Sequence, residues 1–324
     1  EIVDSTRSET LNYTYDELDR LLSVDGPYNQ GYSYDSIGNL RTKSASAAPS
    51  MVSITKVTTG FNHSCALTNS GGVICWGNND YGQLGDGTNT SRLTPVAVSG
   101  LSSNVIDIDA GGFHTCALLS SGSMKCWGQN GNGELGDNRN TPVTVYTLTS
   151  GVTAISAGYQ HTCAIKAGGA KCWGYNGNGE LGDGTNIGRN TPVDVSGLTS
   201  GVSAISVGTR HTCAVTASGG AKCWGQNLFG QLGDGTTDQH SAPVDVYGLT
   251  SSVYAISAGE QHTCAMTTSY GAKCWGANTY GQLGDGTTSR RVTPVDVSGL
   301  TSEVSNIVAG GGDLRYEHTC ALTR

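Results

Sequence analysis

The sequence predicts an all-β protein, a β-propeller of four-stranded blades, and three observations carry that prediction. A stretch running His-(Ser/Thr)-Cys-Ala to Cys-Trp-Gly recurs five times, its first cysteines Cys65, Cys116, Cys163, Cys213 and Cys264 standing 47 to 51 residues apart. Self-similarity at such a period marks a solenoid or propeller rather than several unrelated domains. Each copy divides into four short strand candidates separated by Gly-rich or Asn-rich turns, and no helical periodicity competes. The 48 glycines recur in phase with the repeat, as expected of an ordered, turn-rich fold rather than low-complexity disorder.

Taken in order, residues 1–43 stand apart from the rest. YTYDELDRL and YSYDSIGNL lie 19 residues apart, Tyr15 to Tyr34, and each reads as a strand entering a turn. They resemble two tyrosine-aspartate (YD) repeats, a family that forms extracellular β-shells in long arrays; two copies make a short hairpin-like segment. SASAAPS reads as a linker over residues 44–50, and the propeller repeats occupy 51–324. In the third copy the four strands are VTAISAG (152–158), HTCAIK (161–166), AKCWG (170–174) and PVDV (192–195). A proline opens the fourth in every copy (Pro95, Pro142, Pro192, Pro243, Pro294). A residue without an N–H suits the start of an edge strand, and four strands with a protected edge make a propeller blade.

GYQHTCAIKAGGAKCWGYNGNGELGDGT, followed by TPVDV, is similar to the regulator of chromosome condensation repeat family, and the likeness covers about 270 residues. The resemblance implies a propeller, usually of seven blades, that binds proteins through loop-rich faces. This chain departs from it in two ways. It carries paired cysteines, and it holds five complete units plus a half, VSNIVAGGGDLRYEHTCALTR. In a light-sensing branch of that family clustered tryptophans act in a Gly-Trp-Arg-His-Thr setting; Phe61, Gly112, Tyr159, Thr209 and Glu260 hold the matching positions here, so that activity is not expected.

The cysteines admit two readings. Placing Cys65 opposite Cys75 makes Thr68 face Gly72 across a loop of Asn69, Ser70 and Gly71, with glycine at the left-handed bulge position. Gly122 and Gly219 fall in the same place. The third copy is one residue shorter, and the fifth puts Tyr270 there. Directly opposed strand residues are close enough to bridge, giving Cys65–Cys75, Cys116–Cys126, Cys163–Cys172, Cys213–Cys223 and Cys264–Cys274, with Cys320 unpaired. Its mate would fall about ten residues past Cys320, beyond Arg324, by analogy with the other hairpins. The alternative is metal: His161 and Cys163 share a strand face and Cys172 lies opposite, but the set lacks a fourth ligand. Disulfides are the expected outcome. They imply an oxidising, extracellular or cell-surface location.

Composition excludes several functions. A net charge of −8 and a pI near 5.3, without a basic run, argue against nucleic-acid binding. No stretch reaches the ~18 apolar residues of a membrane helix. GNGELG, at 131–136 and 177–182, mimics a dinucleotide motif but does not open a helix, so it reads as a turn. The aspartates after it (Asp86, Asp137, Asp183, Asp234, Asp285) read as turn residues rather than calcium ligands. Trp76, Trp127, Trp173, Trp224 and Trp275 are expected to pack between blades. The repeat histidines (His63, His114, His161, His211, His262, His318) are expected to bond strand backbones. No nucleophile elbow, metalloprotease motif, phosphate loop or spaced carboxylate pair appears, so neither an enzyme nor a cofactor is expected.

What varies between copies points to recognition. The two residues between Gly and His change each time: Phe61 and Asn62, Gly112 and Phe113, Tyr159 and Gln160, Thr209 and Arg210, Glu260 and Gln261. The sixth unit expands this gap by five residues and contributes Arg315 and Tyr316, types favoured at interface hot spots. A second variable rim runs through Asp80 and Tyr81, Leu228 and Phe229, and Thr279 and Tyr280. The reading is a binding module for a protein or glycan at the Phe61 to Tyr316 rim. The alternative is a structural subunit that self-associates by strand addition.

Overall fold

The computed structural model describes residues 2–3, 10–15, 21–25, 30–34, 40–45, 53–133, 139–310 and 317–324. It divides into two units, Glu1–Ser53 and Ile54–Arg324. The first is a five-stranded antiparallel sheet in sequential order, Ile2–Val3, Thr10–Tyr15, Leu21–Asp25, Gln30–Tyr34 and Leu40–Ala45. Thr10–Tyr15 pairs with Leu21–Asp25, Tyr15 opposite Leu21, and Gln30–Tyr34 pairs with Leu40–Ala45, Tyr34 opposite Leu40. The last strand takes in Ser44 and Ala45, which pair with Gly31 and Gln30.

The second unit is the propeller. Its first blade is an antiparallel meander of Ile54–Thr59, His63–Thr68, Val73–Gly77 and Arg92–Ala97. Four more four-stranded blades follow, opening with Val105–Ala110, Val152–Ala157, Val202–Val207 and Val253–Ala258, and a sixth unit contributes Val304–Ala309 and Thr319–Thr323. The first strands of successive blades lie side by side around a central channel.

The five expected disulfides are formed, each between directly opposed residues with Cα atoms 4.1 Å apart. Their sulfurs sit among fully buried residues in the blade cores. In the third blade Ala167 and Gly168 both take positive φ (51° and 77°), the two-residue type I′ turn that a shorter loop demands. In the fifth, Tyr270 occupies the left-handed position itself (φ 62°) and the register is unchanged, Cys264 still facing Cys274. His161 and the Cys163–Cys172 pair are thereby committed to other bonds, and no group of three metal-ligating side chains stands among the described residues.

Two expectations need correction. The fourth strand does not open with proline: it begins three residues earlier, as in Arg92–Ala97 around Pro95. Cys75 pairs with Val96 and Gly77 with Arg92, so the outer strand bulges between them. Proline falls in that bulge, where no ladder N–H is needed. The histidines, too, bond side chains of the next blade rather than strand backbone. Nε2 of His63, His114, His161, His211 and His262 lies 2.8–2.9 Å from the hydroxyl of Thr115, Thr162, Thr212, Thr263 and Thr319 respectively.

Those threonines tie blade to blade. The hydroxyls of Thr115, Thr212, Thr263 and Thr319 donate to the carbonyl oxygens of Gln83, Glu180, Gln231 and Gln282 in the preceding blade's Gly-(Gln/Glu)-Leu-Gly loop. A hydroxyl has one proton, so at these contacts the imidazole Nε2–H must be the donor, and in His63 and His211, whose Nδ1 has no hydrogen-bond partner among the described residues, the ring is the neutral Nε2–H tautomer. The indole N–H of Trp127, Trp224 and Trp275 donates to the same carbonyls of Gln83, Glu180 and Gln231. Each indole is buried between blades, Trp127 packing with Leu84 and Leu101 of the preceding blade and Ile108 of its own. A Cβ at Gly85 would lie 2.6 Å from the Trp127 nitrogen, which explains the glycine after leucine in this loop.

Candidate binding face

In an antiparallel meander the connections from first to second strand and from third to fourth leave the sheet at the same end. The structure therefore merges the two variable rims of the sequence into one face. Backbone amides of Asn78, Gln129, Tyr175 and Gln226, where the second loop begins, donate to the carbonyls of Asn62, Phe113, Gln160 and Arg210 in the first, at 2.8–2.9 Å.

Aromatic rings gather on this face. Phe61 of the first blade stacks on Tyr159 of the third, with centroids 4.9 Å apart and planes at 15°. Phe113 of the second blade meets both rings at 5.8 Å. Tyr81, 48% exposed, leans on Phe113 at 5.4 Å, which joins the two rims physically. The Phe61–Tyr159 stack can span the second blade because residue 112 has no side chain: a Cβ there would come within 2.5 Å of Tyr159 Cδ2. Gly112 also accepts a bond from Phe61 N at 3.3 Å and donates to Gly158 O at 3.0 Å. The cluster sits at one end of the channel, a cavity of about 470 Å³ walled by small residues of the first strands.

The channel wall is sewn by one side chain per blade. Thr58, Asp109, Ser156, Ser206 and Ser257 each accept the backbone amide of the following blade's first strand at 2.8–3.0 Å. Asp109 stands where three later copies have serine. Burial pushes its carboxyl pKa up, against the opposing pull of the Ala157 amide, nearby Lys56 and the Thr58 hydroxyl.

The remaining loop residues are structural. Asn79, Asn176, Asn227 and Asn278, all buried, accept the amide of the loop leucine at 2.9–3.0 Å and donate to carbonyls across the loop. The sequence signal for them was an asparagine five residues before that leucine in every copy. Asp86 accepts from Thr88 and Arg92; burial alone would raise its pKa, but these bonds outweigh it and hold the carboxyl below its usual range. Asp183 and Asp234 behave alike, and Asp285 is lowered to about 2. Asp137 lies outside the described residues.

The other sequence-predicted site residues disperse. Asn62 is exposed and Gln160 half-buried, both beside the rings, whereas Arg210 is exposed on the fourth blade. Glu260 is 4% exposed, so its carboxylate is turned away from solvent. Arg315 and Tyr316 lie outside the described residues. Cys320 is an exposed free thiol. Thr319, His262 and Glu317 have the connectivity of a nucleophile, base and acid, with Nδ1 of His262 3.2 Å from Glu317. Thr319 gives its proton to the Gln282 carbonyl and accepts from the imidazole, so the arrangement is a strut and not an activated hydroxyl.

A family model for the RCC1-like domain matches residues 36–314. Human HERC4, described as a probable E3 ubiquitin-protein ligase, is 32% identical over 252 residues, covering 76% of this chain and 20% of that protein. The ultraviolet-B receptor UVR8 of Arabidopsis thaliana is 32% identical over 286 residues, covering 83% of this chain and 63% of the receptor. The chain thus spans less than two thirds of the length of either relative. Among solved structures, human WBSCR16 superposes with a TM-score of 0.73 at 21% identity, covering 92% of this chain and 81% of that one. Yeast RCC1 (Prp20) bound to Kap60 superposes with 0.71 at 20% identity, covering 88% and 72%. At these identities the likeness is one of fold.

Proposed function

The chain belongs to the RCC1-like domain family, and from that premise we propose that it is a non-catalytic binding module that engages a protein or glycan through the face bearing Phe61, Tyr81, Phe113 and Tyr159. The observation that carries this reading is the cluster itself. Four rings from three blades converge at the channel mouth, and none of them takes part in the His–Thr–carbonyl and indole–carbonyl bonds that hold the blades together. Aromatic side chains offer large contact area at low entropic cost, which suits a recognition surface. The yeast relative seen with Kap60 supports the idea that a propeller of this fold can hold a partner protein.

The five buried disulfides support a working location outside the reducing cytosol, secreted or on a cell surface. Immobilised protein and its Phe61→Ala, Tyr81→Ala double variant test the face. The variant should capture markedly less partner from the protein's native surroundings while melting at a similar temperature. Equal capture by both would remove the aromatic face from the reading.

A further inference from the structure

The loops of the second and third blades differ from their counterparts. Where the first, fourth and fifth blades carry Asp80-Tyr81, Leu228-Phe229 and Thr279-Tyr280, these carry Gly131-Asn132 and Gly177-Asn178. Removing the bulky pair opens a cavity of about 380 Å³ between the two blades, within the size range of small-ligand sites. Its lining is unusual in chemistry. Five asparagines, one tyrosine and four glycines surround it, and no charged side chain is among them. Asn186 and Asn190 are exposed, and their amides make no hydrogen bond among the described residues. The cavity wall is tied to the segment bearing the aromatic cluster, since Tyr175 donates its backbone amide to the carbonyl of Gln160, the neighbour of Tyr159.

We propose that this asparagine-lined cavity, with the stacked Phe61 and Tyr159 rings beside it, binds a neutral oligosaccharide. The inference rests on the reading of this face as the recognition surface. Amide side chains present a donor and an acceptor in one plane and can pair with adjacent sugar hydroxyls. Aromatic faces take up the apolar C–H face of a pyranose by burial and dispersion. A charged ligand would find no opposite charge on the described cavity wall, whereas an uncharged polyhydroxylated one loses nothing by that. The ordinary glycan residue, rigid and rich in hydroxyls, matches both halves of the site.

A glycan array of neutral oligosaccharides, probed with the intact chain, tests the assignment. Gly131→Leu supplies the blocking variant. Residue 131 has negative φ, space around its missing Cβ, and leucine at the equivalent place, Leu228, in the fourth blade. Asn186→Ala removes a free amide from an exposed position without touching packing. The intact chain should retain at least one neutral oligosaccharide, and each variant should weaken that binding by about tenfold or more, the loss expected when buried polar partners are left unpaired. Tyr247→Ala, exposed after the fourth strand and so at the opposite end of its blade, should leave it unchanged. Absence of any neutral glycan ligand, or undiminished binding by Gly131→Leu, overturns the proposal. Capture from native surroundings separates the two levels of the argument. Partner capture that depends on Phe61 but survives enzymatic deglycosylation of the material would leave the face standing as a protein-binding surface and discard the sugar.

Discussion

Acidification should unfold this propeller well above the pH at which its carboxylates protonate. His63 is lowered to about 4, and His114, His161 and His211 to about 3, in each case chiefly by burial. Geometry gives the cause a concrete form: Nε2 already donates to a threonine hydroxyl, so a second proton must go to Nδ1, which in His63 and His211 is buried without a hydrogen-bond partner among the described residues. An unfolded histidine titrates near 6.5. Below that pH the unfolded chain therefore binds more protons than the folded one, and stability falls as pH falls. Each histidine contributes about 1.4 kcal/mol per pH unit below 6.5, hence about 2 kcal/mol at pH 5 and about 8 kcal/mol for the four, as large as the whole stability of many domains. Asp109 and Glu180, raised by burial, take up protons in the folded state first and offset part of this. The lowered Asp86, Asp183, Asp234 and Asp285 lose their contribution only as pH drops through the carboxylate range and below, so they add nothing at pH 5. Urea unfolding followed by tryptophan fluorescence at pH 7, 6 and 5, at constant ionic strength with disulfides intact, reads the effect directly. His161→Gln should reduce the slope of stability against pH by roughly a quarter, its share of four equivalent sites. Equal stability at pH 7 and pH 5 would refute the neutral-tautomer reasoning.

Three further outcomes follow from the same geometry. Replacing both Cys163 and Cys172 with alanine should lower unfolding stability by about 2.5–3 kcal/mol, the chain-entropy value for so short a loop, and a variant as stable as the parent would deny the pair its role. Thr147 sits at φ 67° where Gly100, Gly197, Gly248 and Gly299 stand at 69–77°, with open space around each of those glycines. Thr147→Gly should therefore stabilise by about 1 kcal/mol by relieving a left-handed β-branched residue, and calorimetry showing a lower Tm would contradict this. Gly112→Ala should drive Tyr159 off Phe61, changing the near-ultraviolet circular dichroism at a cost of about 1–3 kcal/mol; an unchanged aromatic signal would mean that the stack does not depend on the missing side chain.

The blade was legible because its determinants are local. Strand alternation, turn glycines and opposed cysteines all lie within about fifteen residues of one another along the chain, and the register placing Cys65 opposite Cys75 follows from the length of the loop between them. The contacts between blades were not legible. His63 and Thr115 are 52 residues apart, and the carbonyl that completes their link belongs to Gln83, whose backbone carries no sequence signature. The proline illustrates the same limit from the other side. Its lack of an N–H suggests a strand start, but the pairing of Gly77 with Arg92 shows that a bulge, rather than a strand end, absorbs it.

The aromatic face was half legible, and the missing half was topological. Variable residues could be found by comparing copies, yet they fell into two sets along the chain. Their union depends on the meander returning alternate loops to one end, and the Tyr81–Phe113 contact is where that becomes physical. The division of labour within each repeat then makes sense. The bonds between the first blades are made by His, Thr and Trp side chains, a loop carbonyl, the channel-wall side chains and backbone groups, and none of them uses the side chains of Phe61, Phe113 or Tyr159. Those positions are consequently free to hold Phe61, Phe113 and Tyr159, or nothing beyond hydrogen at Gly112, and it is the absent side chain of the second blade that lets the first and third blades build one surface.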